Sequence, residues 1–125
     1  MNKDQLNFLC NEVRVSGYDL HRYLKHGHLE KVYENGLANR LQKKGFMVSQ
    51  QFPVQVTDED GSVLGDLKAD ILVENELLIE LKAVETIHAA HVAQLLGYLR
   101  ATRLQYGLLI NFGSPHFSIK RYILD

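Results

Sequence analysis

The sequence is poor in cysteine, in long apolar stretches and in net charge, and each shortage excludes a class of protein. Cys10 is the only cysteine among 125 residues, which rules out an internal disulfide and favours a reducing compartment, so we expect a cytoplasmic protein. No apolar run reaches membrane-spanning length, and the acids and amides near the N-terminus are unlike a signal peptide. A formal net charge of −1 argues against a strongly basic nucleic-acid coat protein.

Repeats, linkers and low-complexity segments are also missing from the chain. The predicted loop at residues 113–116, GSPH, has too few glycines for a phosphate-binding loop, which excludes an NTPase on motif grounds. Hydrophobic residues make up 46% of the chain, which is enough to fill a core. The length fits one domain, and we therefore expect residues 1–125 to form a single domain.

Hydrophobic spacing predicts eight secondary-structure elements. Helical spacing marks three segments, at residues 4–24, about 29–44 and about 87–102. A spacing of two or a short apolar run marks five strands, at residues 46–56, 65–74, 77–84, 105–112 and 118–124. The resulting order, α-α-β-β-β-α-β-β, predicts a mixed β-sheet covered by helices, an α/β or α+β fold.

Three charged residues lie within or directly beside the apolar runs of two predicted strands. Glu80 and Lys82 are two positions apart and therefore lie on one face of their strand. The turn before that strand is short, so the strand carrying Asp70 should be its antiparallel neighbour. Burying a charge is costly unless it is paired or holds a metal. Two carboxylates beside an ammonium group suit a hard divalent cation that keeps water molecules for a phosphate.

Each of these patterns also has an ordinary explanation. Asp70, Glu80 and Lys82 could form a structural ion-pair network, because short-motif matches carry a high false-positive risk. Gln94 and Tyr98 are four apart and lie on one face of the predicted third helix, as an amide beside a buried tyrosine commonly does. Glu30 is three residues after Gly27 and three before Tyr33, but a glutamate in a first helical turn is favoured by the helix dipole alone.

Taken together, the patterns resemble those of a known family. The segments HGHLEKVYE, KADILVE, LIELKAVE, HVAQLLGYLR and GLLINF resemble the GxxExxY proteins of the PD-(D/E)xK nuclease superfamily, and the resemblance covers about residues 13–123. It implies a restriction-endonuclease-like mixed β-sheet flanked by helices. It also implies that Asp70 and Glu80 bind Mg²⁺ or Mn²⁺ and that Lys82 is the catalytic lysine.

The resemblance assigns roles to three further residues. Glu30 would be an additional metal ligand or would orient metal-bound water. Gln94 and Tyr98 would orient the lysine, the water or a phosphate of the nucleic acid.

Several positions depart from the family pattern. Lys25 and His26 stand where family members usually have glycine and proline just before the Gly27 position, and His28 stands where they have leucine after it. Lys68 replaces a usual arginine. Val92 replaces a usual acidic residue. None of these changes removes a carboxylate or the lysine, so they affect the entry loop and the substrate groove rather than the metal centre.

The resemblance implies an enzyme that hydrolyses phosphodiester bonds of nucleic acid, DNA in preference to RNA, through metal-activated water. The alternative is a nuclease-fold module that binds nucleic acid or a protein partner with little turnover. No membrane partner is expected, and a homodimer is an option in which residues 107–112 and 119–124 supply an edge strand. Strandedness and exonuclease versus endonuclease action stay open, while the lack of an evident recognition helix predicts low sequence specificity.

Overall fold

The computed structural model, which describes residues 1–125, contains three helices and five strands. They are α1 Lys3–Leu24, α2 Glu30–Lys43, β1 Val48–Thr57, β2 Val63–Val73, β3 Leu77–Lys82, α3 Ala89–Thr102, β4 Tyr106–Asn111 and β5 Ser118–Ile123. The order is the one that hydrophobic spacing predicted. No helix combines the length and the apolar character that crossing a membrane would require.

Local sequence signals explain where α1 begins and where α2 ends. Asn2 caps α1: its side chain accepts from the Gln5 N–H at 2.8 Å, and the Gln5 side chain accepts from the Asn2 N–H at 2.9 Å. Gly45 follows α2 with φ of +91°, a conformation that glycine adopts without steric cost. The chain can therefore reverse into β1 directly after α2.

The sheet is mixed, with strand order β1-β2-β3-β4-β5. Only β3 and β4 are parallel, and α3 provides the crossover that a parallel pair needs. β1 is an edge strand and contains Pro53, as expected for a residue that cannot donate to a ladder. β4 is paired on both sides, so the expectation that residues 107–112 could supply an edge is wrong, and β5 alone is the edge at that end.

Apolar side chains cover both faces of the sheet. One group, called here the α1–α2 cluster, joins those helices to the sheet and includes Leu9, Val13, Tyr33, Leu37, Ile71, Ile79 and Ile110. The other, called the α3 cluster, includes Val54, Ala69, Leu78, Leu95, Leu99 and Leu109. Because helices cover the two faces of β3, Glu80 lies inside the protein, whereas Lys82 at the end of the strand is partly exposed.

The first two strands exchange faces partway along their length. In β2, Ile71 packs in the α1–α2 cluster, whereas Ala69 packs in the α3 cluster. In β1, Val48 packs against the former cluster and Phe52 against the latter. Residues two apart on a regular strand share a face, so both strands must rotate sharply where they approach Asp70.

Candidate active site

Strands β2 and β3 separate at Asp70 and Glu80. The ladder between them stops at the pair of Ile71 with Ile79, which are the neighbours in sequence of Asp70 and Glu80. Beyond it, side chains take the place of backbone partners: the Asp70 N–H donates to Glu80 Oε1 at 3.1 Å, and the Leu81 N–H donates to Asp70 Oδ2 at 2.8 Å. These bonds satisfy backbone groups and hold both carboxyl groups in the gap between the strands.

The two carboxyl groups are buried and form no salt bridge to a basic side chain. Asp70 is 9% exposed and Glu80 is 3% exposed, and neither takes part in any of the four salt bridges of the structure. Burial, with the Asp70 charge adding to it, raises the pKa of Glu80 to about 8. Burial also raises the pKa of Asp70, against the opposing effect of the Leu81 N–H. Near neutral pH the pair therefore retains a proton.

A chain of hydrogen bonds connects β3 with α3 beside this pair. Lys82 Nζ donates to Gln94 Oε1 at 2.7 Å, and Gln94 Nε2 donates to the Tyr98 hydroxyl at 3.2 Å. Burial raises the pKa of Tyr98, and the charges of Glu80 and Asp70 raise it further, so the phenol stays protonated. The two partners fix the orientation of the Gln94 amide, with its oxygen towards the lysine.

Glu30 lies nearby but outside the carboxylate pair. It is the first residue of α2 and is half-buried. Its pKa is raised by burial and by the charge of Asp70, and lowered by Lys82, so it shares the electrostatic environment of the site. No three His, Cys, Asp or Glu side chains are grouped so that they could hold a metal ion. A ligand set of Glu30, Asp70 and Glu80 therefore stays a prediction, with only the last two in contact.

The other residues of the G-x-x-E-x-x-Y pattern shape the loop that leads to Glu30. The Tyr33 hydroxyl donates to the Lys25 carbonyl at 2.5 Å and accepts from the His28 N–H at 3.2 Å. Its ring stacks on Phe112 with 4.7 Å between the ring centroids. The pattern thus combines a loop anchor, Tyr33, with an acid that faces the site.

One residue that the sequence analysis did not single out, Glu34, contributes to the electrostatics of this region. Glu34 is only 2% exposed, and its carboxylate accepts from Lys31 Nζ at 2.9 Å, Gln50 Nε2 at 2.8 Å and Gln51 Nε2 at 2.7 Å. Its charge contributes to the raised pKa values of Asp70 and Glu30. Its spacing of four from Glu30, which places both on one helix face, is the signal that could have identified it.

The donor atoms of the carboxylate pair fit a hard divalent cation. Asp70 Oδ2 and Glu80 Oε1 each accept a hydrogen bond from a backbone N–H, whereas no N–H group of the protein donates to the second oxygen of either carboxyl group. Mg²⁺ and Mn²⁺ favour carboxylate oxygens and are commonly held by one or two carboxylates together with water and phosphate. A cation between the two groups would also relieve the repulsion that keeps a proton on the pair.

Comparisons with known proteins identify one family, and the solved structures with a similar fold include the two described below. A family model described as the PD-(D/E)XK nuclease superfamily matches residues 7–122, whereas no curated protein matches significantly. The crystal structure of SSO0001 is 20% identical with a TM-score of 0.61, over 76% of this chain and 52% of that one. An alkaline exonuclease, LHK-Exo from Laribacter hongkongensis, is 15% identical with a TM-score of 0.51, over 70% of this chain and 52% of that one.

At such low identity the two likenesses concern the fold. They support the expected restriction-endonuclease-like mixed sheet flanked by helices, which is confirmed. The chain spans about half the length of both solved structures.

Proposed function

The chain belongs to the PD-(D/E)XK nuclease superfamily, and from this premise we propose that it is a Mg²⁺- or Mn²⁺-dependent nuclease that hydrolyses phosphodiester bonds, of DNA in preference to RNA. The observation that carries the proposal is the buried Asp70–Glu80 pair, which lies in the gap between β2 and β3 and forms no salt bridge to a basic side chain. Lys82 projects from the same face of β3 as Glu80 and contacts Gln94.

Within the superfamily we assign the chain to the GxxExxY proteins, as a single domain over residues 1–125. The arrangement of Glu30 and Tyr33 supports this assignment. Tyr33 anchors the loop before α2, and Glu30 at the start of α2 lies close enough to Asp70 for the Asp70 charge to raise its pKa. A homodimer through the free edge of β5 is compatible with the strand order.

Asp70 and Glu80 would hold the cation, with Glu30 as a third acid close by. Bound there, a divalent cation supplies Lewis-acid chemistry, which lowers the pKa of a water molecule and offsets negative charge on the phosphate. The Lys82 ammonium group offsets further charge that develops on the phosphate oxygens. Gln94 keeps that ammonium group in place, and Tyr98 keeps the amide from turning over.

Cleavage assays test the proposal directly. Labelled single-stranded, duplex and branched DNA, and RNA, are incubated with the full chain in Mg²⁺, in Mn²⁺ and in EDTA. We expect cleavage that requires the metal and falls by about 100-fold or more in Asp70→Asn, Glu80→Gln and Lys82→Ala. Glu85→Gln is the matched control, because Glu85 is exposed and its replacement removes the same charge. Thermal unfolding shows that each variant is folded.

One observation favours a second candidate, a nuclease-fold module with little turnover. Only two acids of the site are in contact, and no third one completes a group able to hold a metal. The module would bind nucleic acid without cleaving any of the four substrates in either metal. Metal-dependent cleavage by the unmodified chain would exclude it.

A further inference from the structure

We propose that Gln51, held by Glu34, is a positioning residue that turns the Asp70 carboxylate into the plane of the sheet. The inference rests on the proposed function, since it concerns the same carboxylate pair. It assigns a role to a strand residue and to a buried helix residue that touch neither the substrate nor the cation.

The β1–β2 ladder is interrupted opposite Asp70, at a point separate from the register shift between Val56 and Thr57. Gln50 pairs with Ile71 and Phe52 pairs with Ala69, so Gln51 lies opposite Asp70, yet these two residues do not pair. The register of the two strands is the same before and after Gln51, so neither strand contains an inserted residue. The interruption is therefore a change of backbone conformation. Gln51 has φ of +54°, in the left-handed region that residues other than glycine rarely adopt.

Such a backbone conformation is unfavourable and needs support from its surroundings. A strained φ/ψ combination costs about 1–3 kcal/mol and persists where neighbouring groups enforce it. Here Gln51 Nε2 donates to Glu34 Oε1 at 2.7 Å, and the Glu34 carboxylate is 2% exposed. A hydrogen bond to a buried carboxylate is among the stronger kinds, so α2 fixes the conformation of β1 at this residue.

The interruption explains how the Asp70 carboxylate reaches its partner. In a regular strand the Asp70 side chain would stand perpendicular to the sheet, where it could not accept from a backbone N–H of the next strand. In this structure Asp70 Oδ2 accepts from the Leu81 N–H in β3 at 2.8 Å, so the side chain lies between the strands. Ala69 and Ile71 pack on opposite faces of the sheet, which shows the same rotation of β2 at Asp70.

Gln50 provides a matched comparison, because it is adjacent and donates to the same carboxylate. Gln50 Nε2 lies 2.8 Å from Glu34 Oε2, but Gln50 pairs regularly with Ile71. Valine at position 50 or 51 removes one amide donor to Glu34 in each case. Only at position 51 does valine also disfavour the left-handed backbone conformation, because β-branched residues adopt that conformation least readily. Gln51→Gly removes the amide but permits that backbone.

The experiment compares these three variants by two measurements on the full chain. In metal-free protein, amide hydrogen exchange at Leu81 reports whether Asp70 still accepts its hydrogen bond, and we expect Gln51→Val to lose at least about tenfold protection. Calorimetric titration with Mn²⁺ should show affinity about 10- to 100-fold weaker in Gln51→Val, with Gln50→Val and Gln51→Gly within a few-fold of the unmodified chain. In the cleavage assay, added Mn²⁺ should restore kcat of Gln51→Val without a change in KM for the nucleic acid.

Equal Leu81 protection in Gln51→Val and Gln50→Val would overturn the inference. So would a Gln51→Gly variant as impaired as Gln51→Val, because the backbone conformation would then not be the cause. If Gln51→Val does not fold, Gln51→Ala replaces it and is judged by the same comparison. Absence of Mn²⁺ binding by the unmodified chain would refute the proposed function, whereas the hydrogen-exchange comparison would still decide the role of Gln51.

Discussion

Replacing Glu80 with glutamine should stabilise the metal-free protein, and increasingly so as the pH rises. Glu80 is 3% exposed and its Oε1 accepts from the Asp70 N–H at 3.1 Å. Glutamine has nearly the same shape, keeps an oxygen for that hydrogen bond and adds an N–H that can donate to the Asp70 carboxylate. The substitution therefore removes a buried charge and little else.

The size of the effect follows from the pKa of Glu80, which is raised from 4.5 to about 8. A group whose pKa is raised by folding contributes stability that is complete below its unfolded pKa and is lost as the pH rises through its folded pKa. At 1.36 kcal/mol per pH unit, the ionised Glu80 costs about 5 kcal/mol above pH 8. At about 4 °C per kcal/mol for a domain of this length, the two melting temperatures should diverge by 10–20 °C.

The assay is thermal unfolding by calorimetry in EDTA at pH 5, 6, 7, 8 and 9. The melting temperature of Glu80→Gln minus that of the unmodified chain should be near zero at pH 5 and should grow through pH 8. Glu85→Gln, which removes an exposed charge, should show a nearly constant difference. A difference for Glu80→Gln that does not depend on pH would refute the reasoning, because the buried carboxylate would then not be the destabilising group.

Three further substitutions have defined expectations. Tyr98→Phe removes the hydroxyl that Gln94 Nε2 contacts at 3.2 Å, so kcat should fall by about tenfold while stability changes by at most about 1 kcal/mol. Gly113→Ala would place a Cβ 2.2 Å from the Val84 backbone nitrogen, and urea unfolding should show a loss of about 3 kcal/mol or more. Gly97→Ala, with open space around the new methyl group, should gain about 0.5–1 kcal/mol in the same measurement. An unchanged kcat in Tyr98→Phe would contradict the role of the Gln94–Tyr98 hydrogen bond. A stable Gly113→Ala or a destabilised Gly97→Ala would contradict the space found around that glycine.

Short-range patterns in the sequence were sufficient for most of the fold. Apolar residues at helical spacing mark the three helices, and the short turn at Glu74 and Asn75 makes β2 and β3 antiparallel neighbours. That Glu80 and Lys82 share a face follows from the two-residue period of a strand. The tight turn adopts positive φ at both of its central residues, which suits asparagine better than most residues.

The details of the site depend on long-range contacts more than on local sequence signals. Gln51 is neither glycine nor asparagine, so nothing in the sequence predicts its left-handed backbone, which Glu34 holds from another element. Glu34 itself has the spacing of an ordinary helix-surface glutamate, and it is buried because β1 packs against α2 at that point. The prediction that residues 107–112 could form an edge was wrong because strand order cannot be deduced from hydrophobicity alone.

The central claim, that Asp70 and Glu80 jointly hold a divalent cation, is tested most directly by locating Mn²⁺ in crystals of the full chain by anomalous diffraction. We expect an anomalous peak between the two carboxylates, in contact with the second oxygen of each, and no such peak in crystals of Asp70→Asn. A peak elsewhere, or none at all at metal concentrations that support cleavage, would contradict the claim.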